Sequence, residues 1–387
     1  MDIGLILFVG FCVVAGIQLF YYLFLFTGVF KKRSLPPVNL EGVSVVICTR
    51  NNRPFLEANL DAVLHQDHPN FEVIVVNDGS TDGTIDFLDK LDKQHNHLNV
   101  LHLDIDERFH RGKKFAQTIG IKAAKNDQLI FTDADCKPAS DQWLRETARH
   151  FTEGTDLVLG VGNYTRQASL TNWIIQLETF HSLLFYINMA LARMPYMGVG
   201  RNLAYRRELF FKVKGFASHQ HLLSGDDDLF VNETATKTNT AVNLAPEAFT
   251  VSEPKKSIGT WMKQKKRHFS TGKLYKPKHR FILGLYSFSL FLYYALGSLT
   301  IYSLFFDYAI IQAESKSLIT HGGLLIAAST IVLVRLFTQG IVLYKNMKVF
   351  DYKKYFWVFP FFDLGILFIQ IFIGIRGYYS KPQRWNS

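Results

Sequence analysis

Three stretches decide how this chain folds: VSVVICTRNN (43–52), FEVIVVNDGSTDGT (71–84) and FTDADCKP (131–138). The first two open on a run of apolar, mostly β-branched residues, and the third closes the apolar run Gln128–Phe131. Each then passes into a polar turn of Asn, Asp, Gly or Thr. Such runs read as buried strands closed by loops. Between them, residues 54–66, Thr84–Leu91 and Gly112–Lys125 have helical spacing, and Val100–Leu103 and Gln128–Phe131 read as further strands. Strands alternating with helices predict an α/β fold with a mostly parallel central sheet. In such sheets ligands bind beyond the carboxyl ends of the strands. Here those ends carry Asn51, Asp78, Asp133 and Asp135.

Outward from this core the text becomes apolar. Ile3–Phe26 has one strongly polar side chain, Gln18, and is long enough to cross a bilayer. A cleaved leader is disfavoured because Asp2 precedes the run, no Lys or Arg does, and no small-residue cleavage site follows. Lys31, Lys32 and Arg33 come directly after it, and Lys273, Lys276, Lys278 and Arg280 precede the next run. By the positive-inside rule these clusters put the N-terminus outside and residues 40–275 in the cytoplasm. The later runs are Phe281–Phe306, Leu318–Leu343 and Phe356–Ile375. Arg335 falls mid-span and must face protein, a headgroup or water. The last run contains Pro360 and Asp363, and a full span, a hairpin or an interfacial segment fits it. The expected organisation is a membrane helix at 1–30, a cytosolic domain at 40–275 and a region of two or three helices at 281–376, in a multi-pass protein of the cell membrane.

The net charge of +10 suits a chain lying against anionic lipid or binding phosphates. No nucleic-acid module accompanies it, which excludes nucleic acid as a partner. Cys12, Cys48 and Cys136 have neither metal-ligand spacing nor a paired framework. No GxxxxGK[ST] occurs, so a Walker-type NTPase is excluded.

The blocks VSVVICTRNN (43–52), EVIVVNDGSTDGT (72–84), RGKKFAQTIGIKAAK (111–125), FTDADCKP (131–138), GVGRNLAYRRELF (198–210), SGDDDLF (224–230) and QKKRH (264–268) carry a resemblance. In that order and spacing they resemble the family 2 inverting glycosyltransferases. The likeness is to the membrane-bound branch that includes cellulose, chitin and hyaluronan synthases and ceramide glucosyltransferases. It covers roughly Gly42 to Gly272 and implies the nucleotide-sugar-binding GT-A fold. It also implies an enzyme that moves a sugar from a nucleotide-sugar, with a UDP-sugar expected, to a lipid or glycan acceptor at the membrane.

The chemistry makes sense of each block. A nucleotide-sugar leaves as a diphosphate, whose charge a divalent cation held by carboxylates can neutralise. Hard oxygen ligands suit Mg²⁺ or Mn²⁺. The resemblance gives this work to Asp133 and Asp135, with Asp135 nearest the metal. It puts Asp78 against the nucleotide base, Thr49 and Asn51 in the first nucleotide-binding turn, and Lys113 near the donor. Asn52 stands where the family often has an acid.

Inverting transfer needs a base for the acceptor hydroxyl. SGDDDLF resembles the family's Thr-Glu-Asp motif and puts Asp226 at the base, with Gly225 in the usual Glu position and Asp227 as the neighbour of like chemistry. QKKRH resembles the QxxRW motif, which gives Gln264 and Arg267 a place near diphosphate and acceptor and puts His268 where the family has Trp. The same segment, WMKQKKRHF, also reads as a basic surface helix with Trp261, Met262 and Phe269 in the interface. Thr171–Tyr196 reads either as an interfacial helix lining an acceptor entry or as core. A processive polysaccharide synthase is the alternative enzyme, and a non-catalytic nucleotide-sugar-binding protein the alternative class.

Overall fold

All seven side chains of the first strand, Val43–Thr49, are buried, as a central strand with β-branched residues on both faces requires. The computed structural model describes residues 3–104, 112–310 and 315–378, and the side chains of 268–269, 306–321 and 374–378 lie outside that description. In chain order the first elements are α1 (Ile3–Phe20), β1 (Val43–Thr49), α2 (Arg53–Leu64), β2 (Phe71–Asp78), α3 (Thr84–Asp92), β3 (Leu98–Leu103), α4 (Lys113–Ala123) and β4 (Gln128–Asp133). Next come β5 (Cys136–Pro138), α5 (Trp143–Ala148), β6 (Leu157–Leu159), β7 (Gly162–Tyr164), α6 (Leu170–Leu191), β8 (Leu203–Arg206), α7 (Arg207–Lys212) and α8 (Asp228–Thr234). The last are β9 (Thr240–Val242), β10 (Thr250–Ser252), α9 (Ile258–Gly272), α10 (Pro277–Ile310), α11 (Ser315–Val349) and α12 (Phe362–Tyr378).

Two compact units result, one built on Lys32–Lys276 and the other on residues 3–31 with Pro277–Phe372. The first is the expected α/β unit. Its main sheet runs β3-β2-β1-β4-β8-β6-β9. The first four strands are parallel, whereas β8 is antiparallel to both β4 and β6. Register levels the strand ends, pairing Thr49 with Asn77 and Cys48 with Asp133. The chain steps from β1 outward to β3, then returns on the other side of β1 to make β4. That reversal opens a crevice beyond the carboxyl ends of β1 and β4. Helix α4 lies close over the sheet: a Cβ on Gly120 would meet Val46 at 2.7 Å and Val76 at 3.0 Å. This seat fixes the start of α4, with its two lysines, above the strand ends. A smaller sheet, β5-β10-β7, continues from Asp135.

Of the two readings for Thr171–Tyr196, burial favours core. Ile175, Leu177, Phe180, Leu183, Leu184, Ile187 and Met189 of α6 are each no more than 1% exposed. The interfacial role drawn for Trp261 and Met262 is corrected as well: they are 2% and 3% exposed, packed inside the protein.

In the helical unit, four helical segments among the described residues are long and apolar enough to cross a membrane: Ile3–Phe30, Pro277–Phe305, Gly322–Val349 and Lys353–Ile373. The last is not one continuous α-helix. A 3-10 stretch, Lys353–Phe361, contains Pro360 and gives way to α12. Of the three environments open to Arg335, it takes protein. Its guanidinium pairs with Asp363 and donates to Gln339 Oε1 at 2.7 Å and Gln18 Oε1 at 3.2 Å. The Tyr22 hydroxyl donates to Asp363 Oδ1 at 2.9 Å.

Candidate active site at the strand ends

The loops after β1 and β2 are knitted together. Asn51 adopts a left-handed backbone, φ 51°. Its amide donates to Ser80 Oγ at 2.8 Å, and its side-chain oxygen accepts from the Thr81 amide at 2.8 Å. Asp78 is buried at the end of β2 and ion-paired to Arg50 at 3.6 Å. Thr49 is wholly buried, and its hydroxyl has no hydrogen-bond partner within the chain. The residues assigned to the nucleotide end thus share one edge of the crevice, with Asn51 acting also as the fastener between the turns.

Asp133 ends β4, and Asp135 and Cys136 follow it. The ligand atoms of these three lie within 4.8 Å of one another. Burial, then the neighbouring Asp133 carboxylate, push Asp135 above the usual carboxylate range. A cation there would relieve that strain, so the donor set fits a hard divalent ion. Cys136 is a poor third ligand. Its sulfur is 2.8 Å from Ser252 Oγ, and burial holds the thiol protonated far above its ordinary value.

Lys113 connects this corner to the acidic triplet. Its ammonium is 2.8 Å from Asp133 Oδ1 and 2.8 Å from Asp226 Oδ2, and its side chain is one-fifth exposed. Burial alone would lower it, but Asp133, Asp226 and Asp227 hold it well above the ordinary lysine value. The three acids then divide. Burial would raise Asp226, but Lys113 and then the charge of Arg267 bring it down to about 2. Asp227 turns to the Gly200 amide, which donates to its Oδ2 at 2.8 Å. Burial and the charges of Asp226 and Asp228 push it up to about 7. Asp228 is 3% exposed and bonded to Thr271 and Tyr275. Of the three, Asp226 joins Lys113, Asp133, Gly200 and Thr132 in lining the cleft at the strand ends.

Helix α9 begins at a Ser257 cap, whose hydroxyl accepts from the Thr260 amide at 3.2 Å. Gln264 Oε1 and Arg267 Nε are buried and have no hydrogen-bond partner within the chain. Lys265 is ion-paired to Glu178 of α6. The side chain of His268 lies outside the described residues.

Sequence reasoning passed over Arg201, which follows Gly200 in GVGRN. Its guanidinium donates to the Gly162 carbonyl at 2.8 Å, lies 4.4 Å from the centre of the Tyr164 ring and adds positive charge near Asp135. An arginine directly after the closely spaced Gly198 and Gly200 was the signal available. The Asp228 contacts had no signal, because their partners lie more than forty residues away.

Comparison with known proteins agrees with this arrangement. The family model described as Glycosyl transferase family 2 matches residues 44–213, and that described as Glycosyl transferase family group 2 matches residues 129–361. The glycosyltransferase AglE of Haloferax volcanii is 32% identical over 126 residues, 32% of this chain and 40% of its own. The poly-beta-1,6-N-acetyl-D-glucosamine synthase of Staphylococcus epidermidis is 32% identical over 96 residues, 25% of this chain and 22% of its own. The chain spans less than half the length of the curated relatives it matches. Among solved structures, the mannosyltransferase PcManGT from Pyrobaculum calidifontis, in complex with GDP-Man and Mn²⁺, has a TM-score of 0.56 at 20% identity, covering 90% of this chain and 98% of that one. That likeness establishes the shared fold. The second family model covers more than half of the chain, so this protein belongs to the family 2 glycosyltransferases.

Proposed function

We propose that this chain is a membrane-bound, metal-dependent inverting glycosyltransferase that moves a sugar from a nucleotide-sugar, a UDP-sugar first, to a lipid or glycan acceptor at the cytoplasmic face. Lys113 carries the assignment: one ammonium contacts both a carboxylate of the candidate metal site and the candidate base. Asp133 and Asp135 would hold Mg²⁺ or Mn²⁺, which supplies charge neutralisation for the departing diphosphate. Thr49, Asn51 and Asp78 line the nucleotide end.

Asp226 accepts the proton of the acceptor hydroxyl as that oxygen bonds to the anomeric carbon. The bond from carbon to phosphate oxygen breaks on the opposite side, and the nucleoside diphosphate leaves with the electron pair. Attack from the far side inverts the anomeric centre. While Lys113 faces Asp226, the carboxylate is ionised but weakly basic. A diphosphate that draws the ammonium away strengthens the base at the moment the donor is in place. Gln264 and Arg267 bring polar atoms without partners in the chain, suited to phosphate or acceptor hydroxyls. His268 is the further candidate for contact with the acceptor, as the motif resemblance implies.

The test is a screen of radiolabelled UDP- and GDP-sugars with membranes containing the protein, followed by lipid extraction. Label in the extract that vanishes in EDTA and returns with Mg²⁺ or Mn²⁺ supports the assignment. Full activity in EDTA, or in Asp135→Ala, would mean that the carboxylates form only a turn. Label in a polymer instead would favour the processive alternative. The orientation is checked with Gln94→Cys, which should react with an impermeant thiol reagent only after cells are permeabilised.

A further inference from the structure

The third acid of the triplet has a different job from its neighbours. Asp228 begins α8, and its Oδ2 accepts hydrogen bonds from the Thr271 hydroxyl and, at 2.8 Å, from the Tyr275 hydroxyl. Its Oδ1 accepts from the Leu229 amide at 2.8 Å. Thr271 is wholly buried in the last turn of α9, and Tyr275 lies just beyond. Residues 264, 267 and 271 are spaced by three and four, which in a helix marks a single face. The face that carries Gln264 and Arg267 therefore ends at the Thr271 hydroxyl that Asp228 holds, and the second hydroxyl it holds, that of Tyr275, lies in the turn just after the helix. The grip continues along α8: Asn232 Oδ1 accepts from the Lys276 amide at 2.9 Å, and Lys276 Nζ donates to the Glu233 carbonyl at 3.1 Å.

We propose that Asp228 is a positioning residue that latches α9 to the acidic loop and so sets the rotation at which Gln264 and Arg267 meet Asp226. This rests on the assignment of Asp226 and Arg267 above. Asp226 and Asp228 are two residues apart on one short segment, so whatever fixes Asp228 against α9 also fixes the distance from α9 to Asp226. A helix turned by one residue would swing Arg267 through about 100°. The positive charge of Arg267 also helps to hold Asp226 low, in keeping with the two lying near one another. Burial raises Asp228, and the two hydroxyls oppose that rise by bonding to the carboxylate.

The experiment uses the full chain in detergent with three variants: Asp228→Asn, Asp228→Leu and the pair Thr271→Val/Tyr275→Phe. Binding of radiolabelled UDP and GDP with Mn²⁺ reports the folded nucleotide end, and transfer into lipid extract reports the aligned site. Asp228→Leu and the hydroxyl pair should each lose transfer by about 10²-fold, the scale of a misplacement of about 1 Å, while binding nucleotide as the parent does. Asp228→Asn keeps an oxygen that can accept both hydroxyl protons and loses only the local amide contact. It should stay within about 5-fold of the parent. Thr271→Ser, which restores the hydroxyl, should transfer normally.

Two results would overturn the latch: normal transfer by the hydroxyl pair, or Asp228→Asn as inactive as Asp228→Leu. Should Asp228→Leu fail to bind nucleotide, the near-isosteric variants decide alone. An active Asp226→Asn would refute the base assignment, and the hydroxyl pair would still report on the latch by itself.

Discussion

Two clusters of buried charge invite comparison, one in each unit. In the helical unit Arg335 and Asp363 are 2% and 0% exposed, one cation to one anion, ringed by neutral partners in Gln18, Tyr22 and Gln339. The Arg335 guanidinium also lies 4.8 Å from the centre of the Tyr293 ring. In the α/β unit Lys113 feels three carboxylates, Asp133, Asp226 and Asp227, and keeps a fifth of its side chain in solvent. The first cluster is electrically balanced and closed. The second has surplus negative charge and an opening. A balanced, closed cluster holds structure together, whereas an unbalanced, open one invites completion from outside, in the function proposed above by a cation and a diphosphate.

Breaking the closed cluster should have the largest effect. Asp363→Leu leaves Arg335 buried without its anion, which costs about 3–5 kcal/mol, whereas replacing both with apolar residues, Arg335→Met/Asp363→Leu, restores much of it. Thermal unfolding of the detergent-purified chain measures both. Equal melting temperatures for the single and the double variant would mean that the pair is not the source of the effect.

The open cluster should respond in the opposite way, in rate and not in folding. Asp226→Asn keeps the size but cannot take the proton, so turnover should fall about 10²-fold or more, about 2.7 kcal/mol of barrier, with nucleotide binding retained. If Asp227→Asn is the inactive variant and Asp226→Asn the active one, the base is the neighbour.

The third expectation concerns α9. Arg267→Lys conserves charge and loses the planar fork that grips a pair of phosphate oxygens, so initial rates at saturating donor should fall by about 10-fold. Lys266→Ala removes a charge worth about 1 kcal/mol of membrane attraction and should barely change the rate. Lys265→Ala is not a neutral control, because Lys265 holds Glu178. Rates that track total charge instead would make α9 a membrane-surface helix.

The smallest effect is a pH dependence. Asp227 is raised in the fold to about 7, so it favours the folded state while protonated. That contribution is complete below the unfolded carboxylate value of about 3.9 and is lost as pH rises through about 7. Between about pH 6 and 8 the loss should be about 1 kcal/mol, and Asp227→Asn, neutral throughout, should remove it. Denaturant midpoints at the two pH values check this, and identical pH slopes for parent and variant would exclude Asp227.

Much of this was legible before any coordinates. The runs at 43–48, 71–76 and 128–131 became β1, β2 and β4, because β-branched periodicity and a polar turn are local signals. Strand β4 runs two residues further than its apolar pattern, since Thr132 and Asp133 continue the ladder. The three-residue strands β5, β7 and β10 were not legible, being too short for a periodic pattern and held by partners far along the chain. The same cause hid the Asp363 partner of Arg335, 28 residues away across a helix break. Trp261 and Met262 looked interfacial because a helix face shows its polarity in sequence but not what covers it.

The sequence by itself determined the family, the α/β plan, the acidic pair after β4, the acid-rich loop at 224–230 and the apolar spans, all of which are written in short contiguous patterns. It could not decide what each of Asp226, Asp227 and Asp228 does. Three identical carboxylates in a row have the same local chemistry and differ only in direction, and direction is set by what packs around the turn. Lys113 on α4 takes the first, the Gly200 amide takes the second, and Thr271 with Tyr275 takes the third. Those partners come from three parts of the chain, and only the tertiary structure brings them to one loop.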